Sequence, residues 1–240
     1  MALAGRGLNL LLIARREKSL KELAAELEER YAITVETLSH DLAQEDTLSV
    51  LEVATGELDI GLVVYNAAFS NIGPFLDSTM KNHEKVINVN VRGPMLCAHY
   101  CGRLIARRGK GGIILMSSLT ALQGTPFIAH YGATKAYNLM LAEGLWYELR
   151  ERGIDVVACC AGPTDTPAFR ESLPKDRKFP RFPPVMKPER VVAIALEALG
   201  KRGSVISGAV NRLSAFFMSR LLSRKAAVTV MGDTVRTIYL

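Results

Sequence analysis

The sequence predicts an α/β fold of the doubly wound, Rossmann-like kind: a parallel sheet between two layers of helices. Two observations lead there. Short runs of Leu, Ile and Val, apolar on both faces, alternate with longer stretches of helical period, as expected of strands buried between helices. The chain has 240 residues, 49% hydrophobic and 22% charged, enough for one such domain with a sizeable core.

In order, "LNLLLIA" (8–14) is the first full strand and "SLKELAAELEERY" (19–31) an amphipathic helix. Ser19 is its expected N-cap, with Glu22 completing a capping box. "ITVETLS" (33–39) is a second strand, 44–56 a second helix, and "DIGLVVYNA" (59–67) a third strand. A long helix over about 79–107 stops at "RRGKGG", and "GIILMSS" (112–118), a helix over about 127–152 and "IDVVACC" (154–160) follow. A proline-rich loop spans about 163–188, and a helix runs from there to Leu199. The short strand "SVIS" (204–207) precedes a helical tail over about 209–240. No repeat or linker divides the chain, so residues 1–240 read as a single domain.

Composition narrows the function classes. The net charge is +6, but the basic residues are scattered in pairs such as Arg15-Arg16, Arg107-Arg108 and Arg224-Lys225, which argues against nucleic acid as a partner. Cys97, Cys101, Cys159 and Cys160 form neither a CxxC metal pair nor a disulfide framework. They read as small buried apolar residues, so no metal is expected. No secretory signal opens the chain, and the uncharged stretch 60–76 is broken by Asn66, Asn71, Gly73 and Pro74. A cytoplasmic location is the expectation.

In an open parallel sheet, ligands gather at the carboxyl ends of the strands. Asp41, Asn66, Ser118 and Thr166 lie just past such ends. "YGATK" (131–135) places a phenol and an ammonium four residues apart, on one face of a helix. A free tyrosine, with a pKa of about 10, is too weak an acid for proton transfer at neutral pH. An ammonium at roughly 4 Å, at an effective dielectric of 20, would lower that value with about 4 kcal/mol of attraction. Ser118, thirteen residues before Tyr131, ends a strand where its hydroxyl can meet the same carbonyl oxygen. Hydride transfer with proton transfer by the tyrosine fits these groups.

"SSLTALQGTPFIAHYGATKAYN" resembles the Ser…Tyr-x-x-x-Lys segment of the short-chain dehydrogenases/reductases. "VVYNAA", "INVNVRGP", "AGPTDTP" and "SHDLA" resemble, in the same order, that family's NNAG, NVN-x-x-G, PG-x-x-x-T and Asp-Leu segments. The resemblance implies that Ser118 polarises the carbonyl and that Tyr131 is the acid–base. Lys135 would lower the tyrosine pKa and hold the nicotinamide ribose, and Asn90 would support a water leading to Lys135. Asp41 would meet the adenine, Asn66 the ribose region, and Thr166 the carboxamide or diphosphate. Where the family's NAD-binding members close a strand with an acid, this chain has "ARRE". Arg15 and Arg16 can pair with a 2′-phosphate, which selects NADP over NAD.

The sequence also departs from the family pattern. No TG-x-x-x-G-x-G turn is present, and Gly5 and Gly7 precede a strand. The chain therefore reads as an N-terminally incomplete form of a longer protein, without the first strand and the Gly-rich turn. Tyr65, Ala68 and Ala161 replace the family's Asn, Gly and Pro. The alternative to an enzyme is a non-catalytic binding or scaffold protein that has lost the phosphate turn.

Phe169, Phe179, Phe182 and Met186 in the proline-rich loop suggest an apolar carbonyl or alcohol substrate, equally with simple packing of the loop. A resemblance of the tail to members acting on 3-oxoacyl or steroid-like carbonyls points the same way. The basic, apolar tail is read as a cap on the cleft or a subunit contact ahead of a membrane-surface contact. The family resemblance implies a homodimer or homotetramer built on the helices at 79–107 and 127–152.

Overall fold

The computed structural model describes residues 1–174 and 184–240, so Phe179 and Phe182 lie outside the described residues. Contacts divide the chain into two compact units, Met1–Asp59 and Ile60–Leu240. The strands are hydrogen-bonded as two parallel sheets, β1-β2 in the first unit and β3-β4-β5-β6 in the second.

In the first unit, β1 (Leu10–Ala14) pairs with β2 (Val35–Ser39) from Leu10↔Val35 to Ala14↔Ser39. The helix α1 (Glu17–Tyr31) joins them and buries Leu20, Ala24 and Leu27. Ala24 and Leu27 meet Ala4 and Val35 in a small core. The helix begins two residues before the expected Ser19 cap. Its N-cap is Arg16, with no side-chain cap bond, and Glu17 in the first turn sits 2.6 Å from Lys21. An acid at a helix start meets the positive end of the helix dipole, so a start without a hydroxyl cap is supported. α2 (Thr47–Thr55) follows β2. Gly5 lies in a 3₁₀ turn before β1, and Gly7 closes that turn with φ 74°.

In the second unit, β3 (Leu62–Tyr65), β4 (Gly111–Ser118), β5 (Ile154–Ala161) and β6 (Ser204–Ile206) run parallel. The β4–β5 ladder is the longest, from Gly111↔Ile154 to Ser118↔Ala161. Its strands bury Ile113, Leu115, Val156, Val157 and Ala158 completely, as the doubly apolar runs predict. α7 (Pro188–Ala198) covers one face, where Val191, Ala195 and Ala198 meet Ile114, Val157 and Cys159. Helices α4 (Gly93–Arg108) and α5 (Ala129–Glu148) also pack on these strands.

The expected long helix over 79–107 is three pieces: α3 (Met80–Ile87), a π-helical turn over Asn88–Arg92, and α4. Pro94 has no N–H to give the Asn90 carbonyl at the α-helical spacing, which favours the wider turn. The proline-rich loop contains a short helix, α6 (Pro167–Ser172). The tail is two helices, α8 (Ala209–Arg220) and α9 (Arg224–Tyr239), the second capped by Ser223 accepting from the Ala226 N–H at 3.2 Å. No helix among the described residues is long and apolar enough to cross a membrane.

Candidate active site

Ser118 is the last residue of β4, and Tyr131 and Lys135 stand one turn apart on α5, which packs on β4. The strand end and the helix face bring the three together. The Ser118 hydroxyl hydrogen-bonds the Tyr131 phenol and accepts from the Thr120 N–H at 3.2 Å. Ser117 is turned the other way and donates to the Lys135 carbonyl oxygen at 2.7 Å, so Ser118 is the serine at the phenol.

The charge state differs from the expectation. Lys135 Nζ donates to the Met116 carbonyl at 2.8 Å and stands 5.5 Å from the centre of the Tyr131 ring. Burial, more than any charge, governs both groups. It pushes the Tyr131 phenol up to about 12, against the Ser118 hydrogen bond and with a smaller push from Tyr239. It also brings the Lys135 ammonium down to about 8. The expected lowering of the phenol by the lysine is therefore not what this arrangement produces, because desolvation outweighs attraction at this separation.

Asn90 lies in the π turn and is fully buried. Its amide oxygen accepts from the Phe69 N–H at 2.8 Å, and its nitrogen donates to the Phe69 carbonyl at 2.8 Å and to the Thr134 hydroxyl at 3.0 Å. Both amide hydrogens are thus spent, and Asn90 ties the loop after β3 to the helix turn that carries Lys135. The side-chain nitrogen thus has no hydrogen left for a water.

Tyr65, where the family has Asn, donates to the Val89 carbonyl at 2.5 Å and so pins the residue before Asn90. A Cβ at position 93 would overlap that hydroxyl, which explains the glycine there. Phe127, just before α5, is a non-glycine residue at φ 67°. Its carbonyl accepts from the Gly73 N–H at 2.8 Å, and its ring lies under the Arg236 guanidinium at 5.2 Å. Such backbone costs about 1–3 kcal/mol and persists only where the surroundings impose it.

The other expected residues are placed as follows. Asn66 directly follows β3 and is exposed. Thr166 caps α6, its hydroxyl accepting from the Phe169 N–H at 3.2 Å. In the first unit, Arg15 and Arg16 follow β1 and are exposed, and Asp41 follows β2 with its carboxylate accepting from the Ala43 N–H at 3.1 Å. The sequence marked Tyr65 only as a departure from the family pattern, and it did not single out Phe127 or the histidines at 83 and 130, of which only His130 carried a signal, its adjacency to Tyr131. The Cys97 and Cys101 thiols are buried and raised to about 12 and 11, which keeps them protonated.

The family implies a nicotinamide dinucleotide, and the donors at its expected reacting end fit one. Among the described residues, Lys135 has one hydrogen-bond acceptor, the Met116 carbonyl, for three ammonium hydrogens. A buried ammonium with two hydrogens to spare suits a pair of ribose hydroxyls. Gly5 and Gly7, lying before β1, supply no phosphate turn.

Comparison with known proteins agrees. Residues 1–177 match the short chain dehydrogenase family. The 7beta-hydroxysteroid dehydrogenase of Mediterraneibacter gnavus is 36% identical over 216 residues, covering 88% of this chain and 81% of that protein. A very-long-chain 3-oxoacyl-CoA reductase of Neurospora crassa is 31% identical over 160 residues, 64% of this chain and 48% of its own. A structure solved in work on 7beta-hydroxysteroid dehydrogenase stereoselectivity superposes with TM-score 0.87 at 32% identity, covering 95% of this chain and 88% of the other. A short-chain dehydrogenase from Sphingobium yanoikuyae in complex with NADPH gives TM-score 0.77 at 28% identity, with 92% and 86% covered.

Proposed function

Because the chain belongs to the short chain dehydrogenase family and is a dehydrogenase/reductase acting between alcohol and ketone, we propose that it uses NADP and acts on an apolar, steroid-like carbonyl, with Tyr131 as the acid–base. The observation that carries the reading is the meeting of Ser118 and Lys135 at the partly buried Tyr131. The hydroxysteroid dehydrogenase relative supports a steroid body over a 3-oxoacyl chain, since it matches over more of its length.

The nicotinamide would supply the hydride for ketone reduction and accept it in alcohol oxidation. Lys135 and Tyr131 would hold its ribose, Asn66 and Thr166 would contact its neighbouring groups, Asp41 the adenine, and Arg15 and Arg16 a 2′-phosphate. Ser118 Oγ donates a hydrogen bond to the substrate carbonyl oxygen. Tyr131 Oη would give its proton to that same oxygen, which leaves the substrate as an alcohol and Tyr131 as a phenolate. Tyr131 is then reprotonated through Lys135 and solvent. A phenol raised to about 12 is protonated at neutral pH. Homo-oligomers would form through α4 and α5.

The test is steady-state reduction of a 7-oxo steroid with NADPH and with NADH. Turnover with a preference for NADPH is expected, and replacing Arg15 and Arg16 together by Ser should lower that preference by about tenfold or more. An unchanged preference would move cofactor choice away from these arginines, and no turnover of steroid ketones would exclude the substrate class.

A further inference from the structure

Two histidines beside the acid–base residues have no part in the chemistry above. His83 on α3 and His130, the residue before Tyr131 on α5, face each other Nδ1 to Nδ1 at 2.9 Å. Both line a small cleft whose wall also includes Tyr131, Phe75, Phe127 and Ser78. The Phe75 ring stacks on His83 at 4.3 Å between centroids.

Hydrogen bonding fixes the tautomers. His83 Nε2 lies 3.2 Å from the Phe75 carbonyl oxygen, which can only accept, so this nitrogen carries the hydrogen. Neutral His83 then has a bare Nδ1, and His130 Nδ1 must donate across the 2.9 Å contact. His130 Nε2 is left with a lone pair. Burial first, and the His83 ring second, lower the His130 pKa, which favours the form that keeps this lone pair. In the same wall the buried Ser78 Oγ has no hydrogen-bond partner among the described residues. An unsatisfied hydroxyl and an imidazole acceptor in one cleft are the complement of an alcohol group.

We propose that this cleft is a subsite for a second hydroxyl group on the substrate, with His130 Nε2 accepting from it and Ser78 Oγ donating to it. The assignment rests on the alcohol–ketone reading and deepens it. The substrate carries its reacting carbon at Tyr131 and a further secondary alcohol on the same apolar body. His83 is a positioning residue: by accepting from His130 Nδ1–H it holds the tautomer whose Nε2 is bare.

Imidazole nitrogen NMR of the full chain, titrated with cyclohexanol, tests the subsite without turnover. Cyclohexanol should shift the His130 Nε2 resonance in the direction of hydrogen-bond acceptance, and methoxycyclohexane, which cannot donate, should not. No shift with either, or equal shifts with both, would overturn the proposal. In kinetics with a 7-oxo steroid bearing or lacking a second ring hydroxyl, His130→Phe should lower the ratio of kcat/KM, hydroxylated over deoxy, by about five- to tenfold, mainly through KM. An unchanged ratio would also overturn it. A chain that reduces neither ketone contradicts the oxidoreductase reading instead, and the NMR titration still decides the subsite.

Discussion

At the scale of single residues, the pair picked out by spacing is real in geometry and different in electrostatics. Tyr-x-x-x-Lys told where both side chains stand, because helical periodicity alone fixes that. It could not tell that Lys135 is only 2% exposed with its ammonium on the Met116 carbonyl, since burial is a property of the assembled core. A pH prediction follows from the two shifted groups. Lys135 falls from 10.5 to about 8 in the folded protein, so between those values the unfolded chain holds a proton that the folded one has lost. Stability therefore rises with pH across that window, by about 3 kcal/mol in all if the shift is full. Tyr131 is raised from 10.0 to about 12, so above pH 10 the folded chain holds the extra proton and stability falls as pH rises. Denaturant melts of wild type and Lys135→Met from pH 7 to 10 should show the rise in the first and not in the second. Equal slopes would mean that Lys135 is not buried as a charge. Ser118→Ala should lower kcat by about a hundredfold while Ser117→Ala should not, and the reverse order would exchange the two serines.

At the scale of elements, the alternation of apolar runs and helical periods was legible almost to the residue for β4 and β5, because strands buried on both faces leave little ambiguity. The break inside 79–107 was not legible. Its cause is Pro94 acting four residues back on Asn90, a pattern that a Pro near a helix start usually conceals. The N-terminal start of α1 was misread because a Ser-x-x-Glu pattern competes with an acid already in place at Glu17. The π turn itself makes a prediction. Gly93→Ala should destabilise the protein by about 1–3 kcal/mol through overlap with the Tyr65 hydroxyl and ring, and Tyr65→Leu in the same chain should relieve part of that loss. Strictly additive losses in denaturant melts would show that the two residues do not meet.

At the scale of the whole molecule, the parallel α/β plan was readable from the alternation of apolar runs and helical periods. The division into Met1–Asp59 and Ile60–Leu240 was not readable, because no change of composition marks it. Completely buried residues concentrate in β4 and β5, while Leu10, Leu11, Leu12 and Ile13 of β1 are half-buried. Amide hydrogen exchange should accordingly be slowest in β4 and β5 and faster in β1 and β2, and uniform protection would contradict this ordering. The central claim is that Tyr131 gives the proton to the ketone. The most direct measurement is single-turnover reduction of a 7-oxo steroid by wild type and Tyr131→Phe, with NADPH binding followed in parallel by fluorescence. The rate should fall by about 10²–10⁴-fold with cofactor affinity nearly unchanged, whereas a Phe variant that reduces the ketone at the wild-type rate would show that another group is the acid.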